Sequence, residues 1–192
     1  MPYRIKITDQ DIRTRDTQWE VGQWVETDGI RDRLCNDSWL HCFTSLLLAG
    51  YLRRYCGYPG NARYWLCEVN GKCLIDGTFK EGWTRMRLVR EVKRPYIDDR
   101  MARAFGIQCI RALGARTELC NMWLSGQFVE ARDYAKDVLD YWDWDGKLSR
   151  LICDNGNMLG LAAVAAEAAN CCGQPVDLRA FAYKSTEYRR TP

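Results

Sequence analysis

Apolar and polar residues alternate with a period of two through much of the first half of the chain, and with a period near three and a half after Pro95. In the first half, Tyr3–Thr8 places Ile5 and Ile7 on one face of a short strand. Residues 9–16 are polar and read as turns. Trp19, Val21, Trp24 and Val25 suggest a second strand interrupted at Gly22, where a bulge or turn fits, and Asp28-Gly29 is a further turn. Residues 39–43, Trp-Leu-His-Cys-Phe, are too few and too aromatic for a helix and read as a buried strand.

A helix follows at once. Thr44 or Ser45 offers a hydroxyl to the free amides of its first turn. Leu47, Leu48, Tyr51, Leu52 and Tyr55 share a face, and Arg53 and Arg54 sit where cations suit the negative end of the helix dipole. Gly57 stops it. After a loop at 58–61, residues 63–69 form a strand with Trp65, Cys67 and Val69 on one side. Asn70-Gly71 predicts a type I′ hairpin, because both residues tolerate positive φ, with 72–75 as the return strand. Asp76-Gly77 and Glu81-Gly82 mark another loop. Residues 84–92 are the last strand, with Met86, Leu88 and Val92 inward and Arg85, Arg87 and Glu91 outward.

Beyond Pro95 the pattern is helical. Asp98 or Asp99 caps a helix running to Leu113 that buries Met101, Ala104, Phe105, Cys109, Ala112 and Leu113. Further helices are predicted over 117–124, 128–142, 148–153, 157–172 and 178–188. The 128–142 helix turns Asp133, Asp137 and Asp140 to one face. The expected fold class is therefore α+β: a small N-terminal mixed or antiparallel sheet domain with one main helix, residues 1–95, followed by a C-terminal α-helical bundle, residues 96–192.

Composition changes this picture only at the margins. Of 192 residues, 47% are apolar and 28% charged, which suits a globular chain. The net charge of +3 divides as +4 before residue 96 (16 Lys and Arg, 12 Asp and Glu) and −1 after it (12 against 13). That is too little to imply a nucleic-acid partner by itself. Ten cysteines fall short of the density of a disulfide scaffold, the N-terminus has no apolar signal core, and no run nears the ~18 apolar residues a membrane span needs. These features predict a soluble cytoplasmic protein with no membrane partner, its thiols used as small buried groups.

Candidate chemistry is sparse. There is no C-x-x-C pair, no cysteine spacing of a zinc finger or ribbon, no P-loop, no G-x-G-x-x-G and no G-x-S-x-G. No metal or cofactor is expected on these grounds. His41 is the sole histidine and stands at a strand-to-helix junction, a place where sites often form. Cys42 beside it points to the other face of a strand and so does not pair with it as a nucleophile. Arg85, Arg87, Arg90, Lys93 and Arg94 make an alternating basic stretch suited to phosphate and hence to a nucleic acid. Arg85 and Arg87, and the acidic face of Asp133, Asp137 and Asp140, are candidate docking surfaces for a charged partner.

The stretch EVGQWVETDGIRDRLCNDSWLHCF, followed by LLLAGYLRRYCGYPGNARYWLCEVNGKCLIDGTFKEGWTRMRLVREV, resembles an uncharacterised domain found in phage and prophage proteins. In that domain a His-Cys strand signature, here residues 39–43, leads into an amphipathic helix with tyrosines. The resemblance spans residues 20–92. It implies an accessory protein that works by binding a host protein, in the form of inhibiting a host defence factor, rather than an enzyme. The same strand, His and aromatic helix also look similar to the mononucleotide-binding half of ADP-ribosyltransferases. That second likeness implies NAD as cosubstrate, with His41 on the ribose, Tyr51 or Tyr55 stacking on the nicotinamide beside Arg53 and Arg54, and Glu91 as the acid.

Overall fold

Alternation between residues 3 and 92 does build strands, and hydrogen bonding joins five of them into one antiparallel sheet and two short ones into a separate hairpin. In the computed structural model the residues described are 3–34, 36–53, 56–58, 60–78, 80–112, 166 and 176–188. The elements are β1 (Tyr3–Thr8), β2 (Arg13–Thr14), β3 (Thr17–Gln18), β4 (Trp24–Glu26), β5 (Leu40–Cys42), α1 (Leu46–Leu52), β6 (Arg63–Asp76), β7 (Lys80–Val92), α2 (Asp99–Ala112) and α3 (Leu178–Lys184), the last continued by a 3-10 turn, Ser185–Tyr188. The chain divides into two compact units, Met1–Tyr96 and Ile97–Pro192.

In the first unit β6 is central. It pairs with β1 through Tyr3↔Glu68 to Thr8↔Arg63, and with β7 through Tyr64↔Val92 to Asp76↔Lys80. The far edge of β7 takes β5 at Trp83, Gly82 and Glu81, and β4 at Arg87, Met86 and Arg85. Phe43, one residue past β5, then exchanges two backbone bonds with Ile5 of β1, at 2.8 and 2.9 Å. The order β1–β6–β7–β5 thus returns to β1, and the sheet closes on itself. Its enclosed face gathers Trp19, Leu40, Cys42, Trp65, Cys67, Val69, Met86 and Leu88. The other face of β1 carries Ile5 and Ile7, and α1 contacts that strand with Leu48, Ala49, Tyr51 and Leu52 buried. The α1 cap is Ser45, whose hydroxyl accepts from the Leu48 amide at 3.1 Å.

The Asn70-Gly71 expectation is corrected. β6 runs unbroken through it to Asp76, and the reversal into β7 is led by Gly77 at φ 53. Asn70 faces Arg85 and Cys73 faces Trp83, so β6 holds one residue more than β7 there. The pair makes a bulge, with Gly71 at φ 83 and the Lys72 amide donating to Thr84 Oγ1 at 3.0 Å. A tolerance for positive φ serves a bulge as well as a turn, and the Asp-Gly pair six residues on takes the turn. Glu81 and Gly82, read as loop, lie within β7, where Leu34 and Trp39 pack over the bare Gly82 backbone. A Cβ on Gly71 would meet positive φ and collide with Thr84 Oγ1. Gly71→Ala is therefore expected to lower unfolding stability by about 1–2 kcal/mol in urea titration. No loss would mean the bulge is absent.

In the second unit, Asp98 caps α2 as expected, accepting from the Met101 amide at 2.9 Å, and Met101, Ala104, Phe105 and Cys109 are buried. Gln108 on α2 donates to the Phe181 carbonyl of α3 at 3.3 Å. Asp177 caps α3 through the Arg179 and Ala180 amides. The helices read over 117–124, 128–142 and 148–153 lie outside the described residues, as does all of 157–172 but residue 166. No described helix is long and apolar enough to cross a membrane.

Candidate functional site

The enclosed face of the sheet holds polar groups among its apolar ones. Arg4, Lys6 and Thr8 of β1 lie opposite Cys67, Trp65 and Arg63 of β6. Thr8 Oγ1 accepts from the Trp65 indole at 3.0 Å. Lys6 is buried. Its Nζ donates to the His41 carbonyl at 2.8 Å and sits 5.0 Å from the centre of the Trp19 ring. Burial without a carboxylate pushes the Lys6 amine down to about 8. Burial likewise pushes the Cys67 thiol up to about 12 and the Cys42 thiol up as well, so neither is a ready thiolate. At the rim, Arg4 grips Glu81 with two prongs, 2.6 and 3.1 Å, while the Trp83 indole donates to the same carboxylate at 2.8 Å.

The His41 ring lies on the opposite face of β5. It is largely buried, with a hydrogen bond to the Leu34 backbone, and its Nε2 has no partner among the described residues. Burial first, then the Lys6 charge, holds it down to about 3. His41 is therefore a neutral ring at physiological pH, built into the wall.

The residues singled out from sequence do not converge. His41 pairs with Gly82, and Glu91 stands nine residues further along β7, roughly 30 Å of strand at ~3.3 Å per residue. Glu91 is instead held by Arg63 through bonds of 3.0 and 2.6 Å. Tyr51, on α1, is fully buried and offers no face for stacking, and Arg53 is buried at the end of α1. Arg54, Tyr55, Asp133, Asp137 and Asp140 lie outside the described residues. This geometry lends no support to an NAD site. Among the described residues, no three His, Cys, Asp or Glu side chains gather as a metal site would require.

Arg85 and Arg87 are brought together, with a residue that local pattern did not single out. Trp24 faces Arg87 across β4 and β7, and Glu26 faces Arg85. The two guanidinium groups lie 4.5 and 4.9 Å from the Trp24 ring centre. Arg85 pairs with Glu26 at 2.9 Å, and Arg87 with Glu68 at 2.8 and 2.6 Å. The result is a partly exposed ladder on the outer sheet face, Glu68–Arg87–Trp24–Arg85–Glu26. Its two arginines meet carboxylates and an indole, which takes two of the five residues out of the basic stretch read from the sequence as a phosphate surface. Only register could have revealed it, since Trp24 and Arg85 are sixty-one residues apart.

Residues 3–99, the sheet unit with its exit into α2, match the family described as Domain of unknown function (DUF7666), and the chain belongs to that family. No curated protein and no solved structure matches it.

Proposed function

We propose that this chain is an accessory protein of phage or prophage that works by binding a host protein, with its C-terminal half, which follows the family domain in sequence, forming a helical bundle. The observation that supports binding is the Trp24 ladder. Trp and Arg are the residue types that most often anchor protein interfaces, and here both arginines are held in place before a partner arrives. Carboxylates on either side keep the patch near neutrality, which favours a protein surface over a polyanion. The likeness to phage domains supplies the biological setting, and inhibition of a defence factor is the form of binding it suggests.

The test is capture from host lysate by immobilised full-length chain, with Trp24→Ala and Arg87→Ala beside the wild type. A stoichiometric partner should bind the wild type and bind Trp24→Ala about 30-fold more weakly, the cost of truncating a central anchor by about 2 kcal/mol. Circular dichroism should show both variants folded. A partner captured equally by all three proteins would remove the ladder from the interface, and capture of none would remove the reading.

A further inference from the structure

Closure of the sheet through β5 leaves β4 outside the ring, paired with β7 alone. In an antiparallel pair, alternate residues turn their backbone groups toward the neighbouring strand and the residues between turn theirs away. The Thr27 amide donates to the Thr84 carbonyl and the Gly22 amide to the Leu88 carbonyl, both at 2.8 Å. On β7 it is therefore Thr84, Met86 and Leu88 whose backbone faces β4, while Arg85 and Arg87 face β6. Trp24 and Glu26 stand opposite Arg87 and Arg85, so their amides and carbonyls point away from β7, out of the sheet edge. Those groups have no hydrogen-bond partner among the described residues. The edge is also open to solvent: Glu26 is exposed, Trp24 is half-buried, and Val21 and Ile30, beyond the two ends of the strand, are 47% and 79% exposed.

A free edge is a template for another strand, and a charge on it limits which strand can dock. Here the charge is the Glu26 carboxylate, which calls for cations opposite. We propose that β4 pairs antiparallel with β4 of a second copy of this chain, about a twofold axis that passes through Val25 perpendicular to the sheet. Trp24 of each copy then stands opposite Glu26 of the other, and the outward amides and carbonyls of these residues bond one another. Glu26 arrives beside a Trp24 ring that already carries the guanidinium groups of Arg85 and Arg87, so a second copy supplies the cations the edge demands. The antiparallel direction also brings the Val21 end of one strand beside the Ile30 end of the other, which covers two apolar side chains that each copy alone leaves in water. The contact uses the backbone edge and needs no host protein, so it and the host-binding reading are tested by separate experiments.

Sedimentation of the purified full chain, over about 1 to 300 μM, should show the mass rising from 22.3 kDa toward twice that value and stopping there, as a small, reversible twofold contact requires. Glu26→Pro removes an amide that bonds nothing inside the fold and sets a ring on the edge. It should stay folded by circular dichroism and weaken dimerisation about tenfold or more. Glu26→Arg keeps the backbone intact but sets a cation against the arginines of the second copy, and should weaken dimerisation by a similar factor. It carries the test alone if the proline variant does not fold. A mass that stays at the monomer value, growth past the dimer, or undiminished dimerisation in folded Glu26→Arg would each overturn the proposal.

Discussion

Acidification from pH 7 to pH 4 is expected to destabilise the wild-type protein by about 3 kcal/mol more than a His41→Gln variant. The folded ring takes up a proton only near 3, held down by burial and by the Lys6 charge, against 6.5 for an ordinary imidazole. Between those values the unfolded chain binds more protons than the folded one. Stability from this ring is therefore complete above 6.5 and is lost as the pH falls toward 3. Carboxylates such as Glu91, kept low by its bond to Arg63, titrate in both proteins and cancel in the comparison. Because His41 is the only histidine, its imidazole gives a single resonance that can be followed without assignment. That resonance should stay in its neutral position down to about pH 4. A midpoint near 6 would show that the ring is solvated, and would reopen the place at the strand-to-helix junction as a site.

How far local pattern carries can be judged from particular residues. Alternation located β1, and residues 63–69 and 84–92 as strand. Short polar side chains marked the true caps, Ser45 for α1 and Asp98 for α2. These features depend on near neighbours along the chain. Closure of the sheet does not. Ile5 and Ile7 share one face of β1 and Arg4, Lys6 and Thr8 the other, and in an open two-layer arrangement that second face would be wet. Pairing of Phe43 with Ile5 covers both faces, so Lys6 and Thr8 are buried too. The competition between Asn70-Gly71 and Asp76-Gly77 for one turn was likewise settled by partners across the sheet, above all the Thr84 hydroxyl that receives the Lys72 amide. The ladder around Trp24 follows from that register, since one extra residue on β6 sets which side chains of β7 stand beside Glu68 and which beside Asn70.

The same closure makes Lys6 the second strong reporter. Raising the pH from 7 to 11 is expected to favour the wild type over Lys6→Met by about 3 kcal/mol, whatever their order at pH 7. The folded amine gives up its proton near 8 and the unfolded one near 10.5, because burial penalises the charged form. Between those values the unfolded chain holds more protons, so the burden of enclosing an ammonium is lifted as the pH rises through this window. Methionine keeps the length of the side chain but carries no charge, so the variant has no such relief. Cys42 and Cys67 ionise more readily in the unfolded chain and weaken both proteins at high pH; without the ammonium their thiols rise further, which moves the difference the same way. Urea midpoints at pH 7, 9 and 11 would measure it. A difference that stays flat would mean that water reaches Nζ. The variant also carries an independent signature: Lys6 helps hold His41 down, so the single imidazole midpoint should move up when Lys6 is replaced. Movement of both quantities would tie β1 to β5 through the bond from Nζ to the His41 carbonyl, the contact that lets a lysine sit inside the closed sheet.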